Sequence, residues 1–173
     1  MKTSIYTHQY QSPLGVITLA ATDKGLCLLE FDDEKRISNH FKQFKNRSDY
    51  EIQNHISPIL KKTLNQLKEY FENNRTTFSI PLDLFGTDFQ IKVWNELLTI
   101  PYGVTRSYKE QAIAIGNLKA IRAVATANGE NRISIIIPCH RVIGSNGSLT
   151  GYGGGIWRKQ KLLELENNQI KLF

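Results

Sequence analysis

A mixed α/β architecture in two parts is expected. A small α+β domain covers residues 1–86, and a mostly helical domain covers residues 87–173. Near the N-terminus, apolar and polar residues alternate between turn signals, the pattern of half-buried strands. Later stretches carry apolar residues at the three- and four-residue spacing of helices. The 173 residues, 40% of them hydrophobic, suffice for one large core or two small ones.

The elements follow in order. "IYTHQYQSPLGVITLAATDKGLCLLEFDD" holds the turn signals "SPLG" and "TDKG", so it reads as a β-meander of about three strands. Cys27 lies inside the strand-like "GLCLLEF" and is expected to be a buried, inert thiol. "SPILKKTLNQLKEYFENN", residues 57–74, places Leu60, Leu64, Leu67, Tyr70 and Phe71 on one helical stripe after a Ser-Pro start. "TTFSIPLDLFG" reads as extended chain. No chemistry is visible in this half.

The second half is richer in helices. "TDFQIKVWNELLTI" has Phe89, Val93, Trp94, Leu97 and Leu98 at helical spacing, and Pro101 ends it. "SYKEQAIAIG" opens with Ser107 and Glu110 as a capping box and closes at Gly116. "LKAIRAVATANG" follows at once. Two short helices joined by a tight Gly-Asn turn make a helix-turn-helix candidate, with Lys119 and Arg122 facing a partner. The same pattern also fits two core helices joined by a turn. "RISIII" reads as a short buried strand, and "GSNGSLTGYGGG" as a glycine-rich loop. "IWRKQKLLELE" is a closing helix with Ile156, Leu162, Leu163 and Leu165 as its apolar positions.

Charge narrows the partner. The formal net charge is +6 and the pI about 9.3. Residues 1–86 hold 11 Lys/Arg against 10 Asp/Glu, whereas residues 87–173 hold 11 against 6. A polyanion would therefore dock on the second half. Mean hydropathy is −0.33, and no apolar run nears the about 20 residues of a membrane helix. The N-terminal residues lack the apolar stretch of a signal peptide. A cytoplasmic protein with two free thiols, Cys27 and Cys139, is expected.

The chemistry gathers at "IIIPCHRV". A thiol with an ordinary pKa near 8.5 is mostly protonated at neutral pH, so a reactive cysteine needs a base beside it. His140 follows Cys139 directly. Adjacent side chains of an extended strand point to opposite faces, so the two converge only if the chain turns or a water bridges them. Pro138 favours such a turn. Glu166 is a candidate to orient the histidine, though spacing alone does not select it.

"IPCHRVIGSNGSLTGYGGG" resembles the active-site signature of the O6-alkylguanine-DNA alkyltransferases, the methylated-DNA–protein-cysteine methyltransferases. "GTDFQIKVWNELLTIPYGVTRSYKEQAIAIGN" resembles the family's stretch leading into its helix-turn-helix. "IRAVATANGENRISIIIPCHRV" is similar to its recognition helix and asparagine hinge, and "RKQKLLELE" to its closing helix. The resemblance is close over about residues 86–166 and looser over "SPLGVITLAATDKGLCLLEF". It implies a ribonuclease H-like N-terminal domain and a winged-helix-like C-terminal domain with a helix-turn-helix.

The resemblance also implies roles. Cys139 would take the alkyl group from guanine O6 in an in-line displacement, once per molecule and without cofactor or metal. O4-alkylthymine would be a further substrate. His140 would deprotonate Cys139 through a water, and Glu166 would hold His140. Asn131 would bond near the Cys-His turn, and Tyr108 would donate to the leaving base. Backbone groups of Cys139 and Val142 would accept from the guanine amine. Tyr152 would wall the pocket, and the Gly153 N–H would face O6. Arg122 would fill the stack vacated by the flipped base, with Lys119, Ser107 and Arg141 as further DNA contacts. The implied partner is double-stranded DNA carrying O6-alkylguanine, not a membrane. The implied protein is a monomer, with cooperative packing on DNA left open.

Two positions depart from the family pattern. Leu118 and Arg132 stand where many relatives have proline, and Arg132 is expected to add charge near the DNA face. With Cys27 the sole cysteine of the first domain, no structural zinc is expected there. The competing readings are a non-catalytic alkylguanine-DNA binder, which Cys139 argues against, and an unrelated cysteine hydrolase, which leaves the helix-turn-helix unexplained.

Overall fold

A computed structural model describes residues 2–167. The chain forms two compact units, Met1–Phe85 and Gly86–Phe173.

In the first unit, β1 (Thr3–Ser12), β2 (Gly15–Ala21) and β3 (Leu26–Phe31) form the expected antiparallel meander. The "SPLG" turn closes with Gly15 at φ +115°, a conformation that favours glycine. The helix α1 (Glu34–Lys45) and the strand β4 (Tyr50–Gln53) follow. β4 pairs parallel with β1, giving the sheet order β3-β2-β1-β4. Asp33 caps α1 by accepting from the Arg36 N–H. The helix α2 (Pro58–Phe71) starts as expected, with Ser57 as N-cap and proline in the first turn.

The alternation of β2 explains how the sheet is covered on both faces. Ala20 and Leu28 pack with Phe44 and Phe41 of α1. Ile17 and Leu19, out of phase with Ala20, are also fully buried, and α2 packs against β1 and β2. Cys27 belongs to the α1-side core, where burial pushes its thiol pKa far up. Residues 76–86 are irregular apart from a bridge between Leu26 and Leu82.

The second unit is helical. α3 (Asp88–Leu97) opens with a capping box of Thr87 and Gln90 and buries Val93, Trp94 and Leu97. Phe89 and Leu98, placed on the apolar stripe from sequence, are 37% and 42% exposed: one lies in the first turn and the other is the C-cap. β5 (Arg106–Ser107) leads into α4 (Tyr108–Ala114), and the Ser107–Glu110 capping box is present as expected. Gly116, at φ +82°, ends that helix. A single 3-10 turn at Leu118–Ala120 precedes α5 (Ile121–Gly129). A buried amide pair locks α4 to α5: Gln111 Nε2 donates to Asn128 Oδ1 at 2.8 Å, and Asn128 Nδ2 to Gln111 Oε1 at 2.7 Å.

"RISIII" is not a strand. Apart from an isolated bridge at Ile133, residues 131–138 form tight turns, with the Ile136 N–H on the Ser134 carbonyl and the Ile137 N–H on the Ile133 carbonyl. Ile135 sits at φ +70°, a strained conformation for a β-branched residue, held by full burial. The chain then makes a 3-10 turn at Cys139–Arg141 and a two-residue strand β6 (Val142–Ile143) that pairs with β5. After the glycine-rich loop comes α6 (Ile156–Glu166). Its buried residues are Lys159, Leu162 and Glu166, while Ile156, expected on the apolar face, is 50% exposed.

Candidate active site

The turn after Pro138 answers the geometric problem of a Cys-His dipeptide. In 3-10 backbone the two side chains no longer alternate as in a strand. Cys139 lines a cavity of about 500 Å³, whereas His140 is fully buried behind it.

Behind the cavity lies a buried charge chain. His140 Nε2 is 2.8 Å from Glu166 Oε1. Arg141 grips the same carboxylate in a fork, Nε to Oε2 at 2.8 Å and Nη2 to Oε1 at 2.9 Å, and its Nη1 donates to the Ile100 carbonyl at 2.7 Å. Burial alone would raise the Glu166 pKa, but His140 and Arg141 outweigh it and hold the carboxyl well below the usual range. Burial lowers the His140 pKa, against the pull of Glu166. The stable state is thus neutral His140 between an ionised Glu166 and Arg141. A carboxylate can only accept, so Nε2 carries the proton and Nδ1 is the basic nitrogen. Nδ1 is buried without a hydrogen-bond partner in the protein.

Asn131 holds Cys139 from the other side. Its Nδ2 donates to the Ile137 carbonyl at 2.8 Å and to Cys139 Sγ at 3.2 Å, and its Oδ1 accepts from the Ile133 N–H at 3.0 Å. This single side chain ties together the turns before Cys139.

The cavity wall joins α4, α5 and the glycine-rich loop. Tyr108, Arg122, Tyr152 and Gly153 line it with Cys139, as do Asn128, Thr150 and Gly151. Gly151, at φ +58°, bends the loop across the cavity. The Tyr108 hydroxyl donates to the Thr150 carbonyl at 2.8 Å, and burial raises its pKa, so it remains a protonated donor at neutral pH.

Lys159 is the functional candidate that the sequence reading missed. It is fully buried, and its Nζ donates to the carbonyls of Thr150 at 3.1 Å and Gly151 at 3.3 Å. It lies 5.7 Å from the Tyr108 ring centroid. Burial lowers its pKa, and the charge of Cys139 opposes that shift. Its place in "IWRKQKLLELE", three before Leu162 on the helix repeat, was the available signal.

Other expected positions fall differently. Val142 is fully buried and outside the cavity lining, and its N–H bonds to the Cys139 carbonyl. Ser107 spends its hydroxyl oxygen on the Glu110 N–H, and Lys119 and Arg122 are exposed. Arg141 corrects the expectation of a DNA contact: it is 6% exposed and committed to Glu166 and Ile100. Arg132, expected at the DNA face, is 7% exposed with its guanidinium 5.5 Å from the Trp94 ring centroid.

Both halves of the chain match known proteins. Residues 5–84 match the model of the 6-O-methylguanine DNA methyltransferase ribonuclease-like domain, and residues 88–168 that of its DNA-binding domain. The methylated-DNA–protein-cysteine methyltransferase of Methanosarcina barkeri is 44% identical over 168 residues, 96% of this chain and 100% of that protein. The Mycobacterium tuberculosis protein of the same name is 61% identical over 106 residues, 61% of this chain and 64% of that protein, so the match spans under two thirds of that relative. The crystal structure of Mycobacterium tuberculosis O6-methylguanine methyltransferase has a TM-score of 0.78 at 44% identity, covering 95% of this chain and 93% of that one. Mycobacterium tuberculosis OGT in complex with DNA gives 0.79 at 45% identity, covering 96% and 94%. Fold and cavity thus define a two-domain protein of the 6-O-methylguanine DNA methyltransferase type. The chain belongs to the methylated-DNA–protein-cysteine methyltransferase family.

Proposed function

We propose that the protein repairs double-stranded DNA by moving the alkyl group of O6-alkylguanine, and of O4-alkylthymine, to Cys139 Sγ. The observation that carries this reading is a thiol on the wall of a base-sized cavity, with a neutral, carboxylate-anchored histidine buried behind it. His140 Nδ1 takes the Cys139 proton through a bridging water. The thiolate attacks the alkyl carbon in line, the S–C bond forms, and the C–O bond to the base breaks. The electron pair stays on the base, where Tyr108 turns its O–H from the Thr150 carbonyl to the developing charge. The product is a thioether, so each molecule turns over once.

Access requires the nucleotide to leave the duplex, at a cost of a few kcal/mol. Arg122, exposed on α5 and lining the cavity, fills the vacated stack. Lys119 and the free O–H of Ser107 contact phosphates. Asn131 and Arg141 are positioning residues, one aiming the thiol and the other fixing Glu166. The Gly153 N–H holds the base edge. The small residues Gly153–Gly155 leave room for adducts larger than methyl. No helix among the described residues is long and apolar enough to cross a membrane. The two free thiols support a cytoplasmic site of action.

The test is incubation with a duplex carrying O6-methylguanine, followed by peptide mass mapping. One methyl group per protein on the Cys139 peptide is expected. Tight binding with Cys139 unmodified would make the protein a non-catalytic alkylguanine-DNA binder, and repeated turnover of an ester would make it a hydrolase.

A further inference from the structure

The position after Asn131 holds a buried guanidinium. Arg132 lies with its Cζ 5.5 Å from the centroid of the Trp94 ring. Trp94 is itself 1% exposed, and its Nε1 donates to the Ala127 carbonyl at 2.9 Å. Gly86 leaves the ring its space, because a Cβ there would come within 2.5 Å of it. One indole therefore holds the chain at two points, Ala127 in the last turns of α5 and Arg132 just beyond them. Asn131 lies between those points, and its Nδ2 reaches Cys139 Sγ at 3.2 Å.

Apart from an isolated bridge at Ile133, residues 131–138 are mostly tight turns rather than a ladder. The aim of the Asn131 amide depends on the backbone on either side of it. We infer that the Arg132–Trp94 contact is a clamp that sets Asn131 against the nucleophile, making Arg132 a positioning residue for alkyl transfer. Burial strengthens such a contact, because a desolvated cation over tryptophan is held more firmly than an exposed one. The planar guanidinium lies on the ring more closely than an ammonium can, yet lysine keeps the charge.

The inference rests on Cys139 being the acceptor, and the experiment separates the two ideas. Single-turnover transfer from O6-methylguanine duplex is measured at saturating DNA for wild type, R132A, R132K and R132M. Affinity for undamaged duplex is measured on a C139A background. R132A and R132M should lower the saturating rate about ten-fold, with duplex affinity changed less than about two-fold. R132K should restore part of the rate, which a loss of packing alone would not predict, because methionine is close to it in length. W94F should slow transfer similarly, and adding R132A to it should cost little more. Equal rates in wild type, R132A and R132M would overturn the clamp. So would equal losses in R132K and R132M, or a loss of duplex affinity that matches the loss of rate. Absence of transfer in the wild type itself would instead strike the reading of Cys139.

Discussion

Glu166→Gln tests the buried charge chain most directly. The carboxylate receives contacts of 2.8 Å from His140 and of 2.8 and 2.9 Å from Arg141. Hydrogen bonds to charged groups contribute about 1.5–3 kcal/mol each. Glutamine keeps the shape, but its NH2 cannot accept, and Arg141 becomes a buried cation without a counter-charge. Breaking one side of such a pair costs about 3–5 kcal/mol, to be read as a lower urea midpoint of the second unit. The kinetic loss has a separate cause. Without the carboxylate, Nε2–H is no longer anchored and Nδ1 is no longer fixed as the basic nitrogen. Removing the orienting partner of a general base should slow transfer about 100-fold. Transfer in the wild type rises with pH as His140 loses its proton and levels off above its lowered pKa. Glu166 is what pulls that pKa upward, so in the variant the inflection should move lower while the plateau drops. The assay is quenched single-turnover transfer across pH 4.5–8, about the span that brackets ordinary carboxyl and imidazole pKa values. A plateau within about two-fold of wild type would sink the assignment of His140 as base, as would an inflection that moves up.

Other consequences are equally measurable. Stability should be full above the ordinary histidine value of 6.5 and fall as pH drops, because burial lowers the folded His140 pKa and the unfolded chain binds the proton first. A further loss should begin below the ordinary carboxyl value of 4.5, since Glu166 is also depressed in the fold; urea midpoints unchanged between about pH 7 and 5 would contradict the His140 loss, and midpoints unchanged between about pH 5 and 3 the Glu166 loss. Lys159→Met removes two hydrogen bonds to the loop at Thr150 and Gly151 and should cut the efficiency of reaction with a free alkylated guanine about ten-fold; unchanged kinetics would reduce Lys159 to a core filler. Arg122→Ala should slow repair in duplex far more than reaction with the free base, and equal losses would remove its role in the vacated stack. In the native protein a thiol reagent should label Cys139 quickly and Cys27 only on unfolding, because burial holds the Cys27 thiol protonated; rapid double labelling of native protein would count against that.

What could be seen in the sequence follows from the range of the forces involved. The meander, α2 and the α4 capping box are written in neighbouring residues, so local pattern sufficed. α1 was passed over because "EKRISNHFKQFK" buries only His40 and Phe44, too few for a clear stripe. "RISIII" misled because β-branched residues favour strands, whereas here only Ile133 forms a bridge and the Asn131 side chain bonds the Ile133 N–H and the Ile137 carbonyl. Arg141 looked like a surface cation because Glu166, the residue that draws it inside, lies 25 positions away. Cys139 and His140 stood together in the sequence, but only the resemblance selected Glu166, and the geometry shows that Nδ1 of His140 is its basic nitrogen.

The inward cations also bear on how the protein searches DNA. Of the 11 basic residues in the second half, Arg132, Arg141 and Lys159 are buried and release no counterions on binding. The helix-turn-helix offers Lys109, Lys119 and Arg122 to solvent. With Arg122 taken up in the vacated stack, Lys109 and Lys119 as two phosphate contacts imply a slope of about −1.8 in log affinity against log salt, or about a 12-fold loss between 50 and 200 mM. That is shallow for a DNA-binding protein. With the repair activity proposed above, such a molecule would keep its grip on the duplex through ordinary swings of ionic strength, and the lesion rather than the electrolyte would decide where it stops.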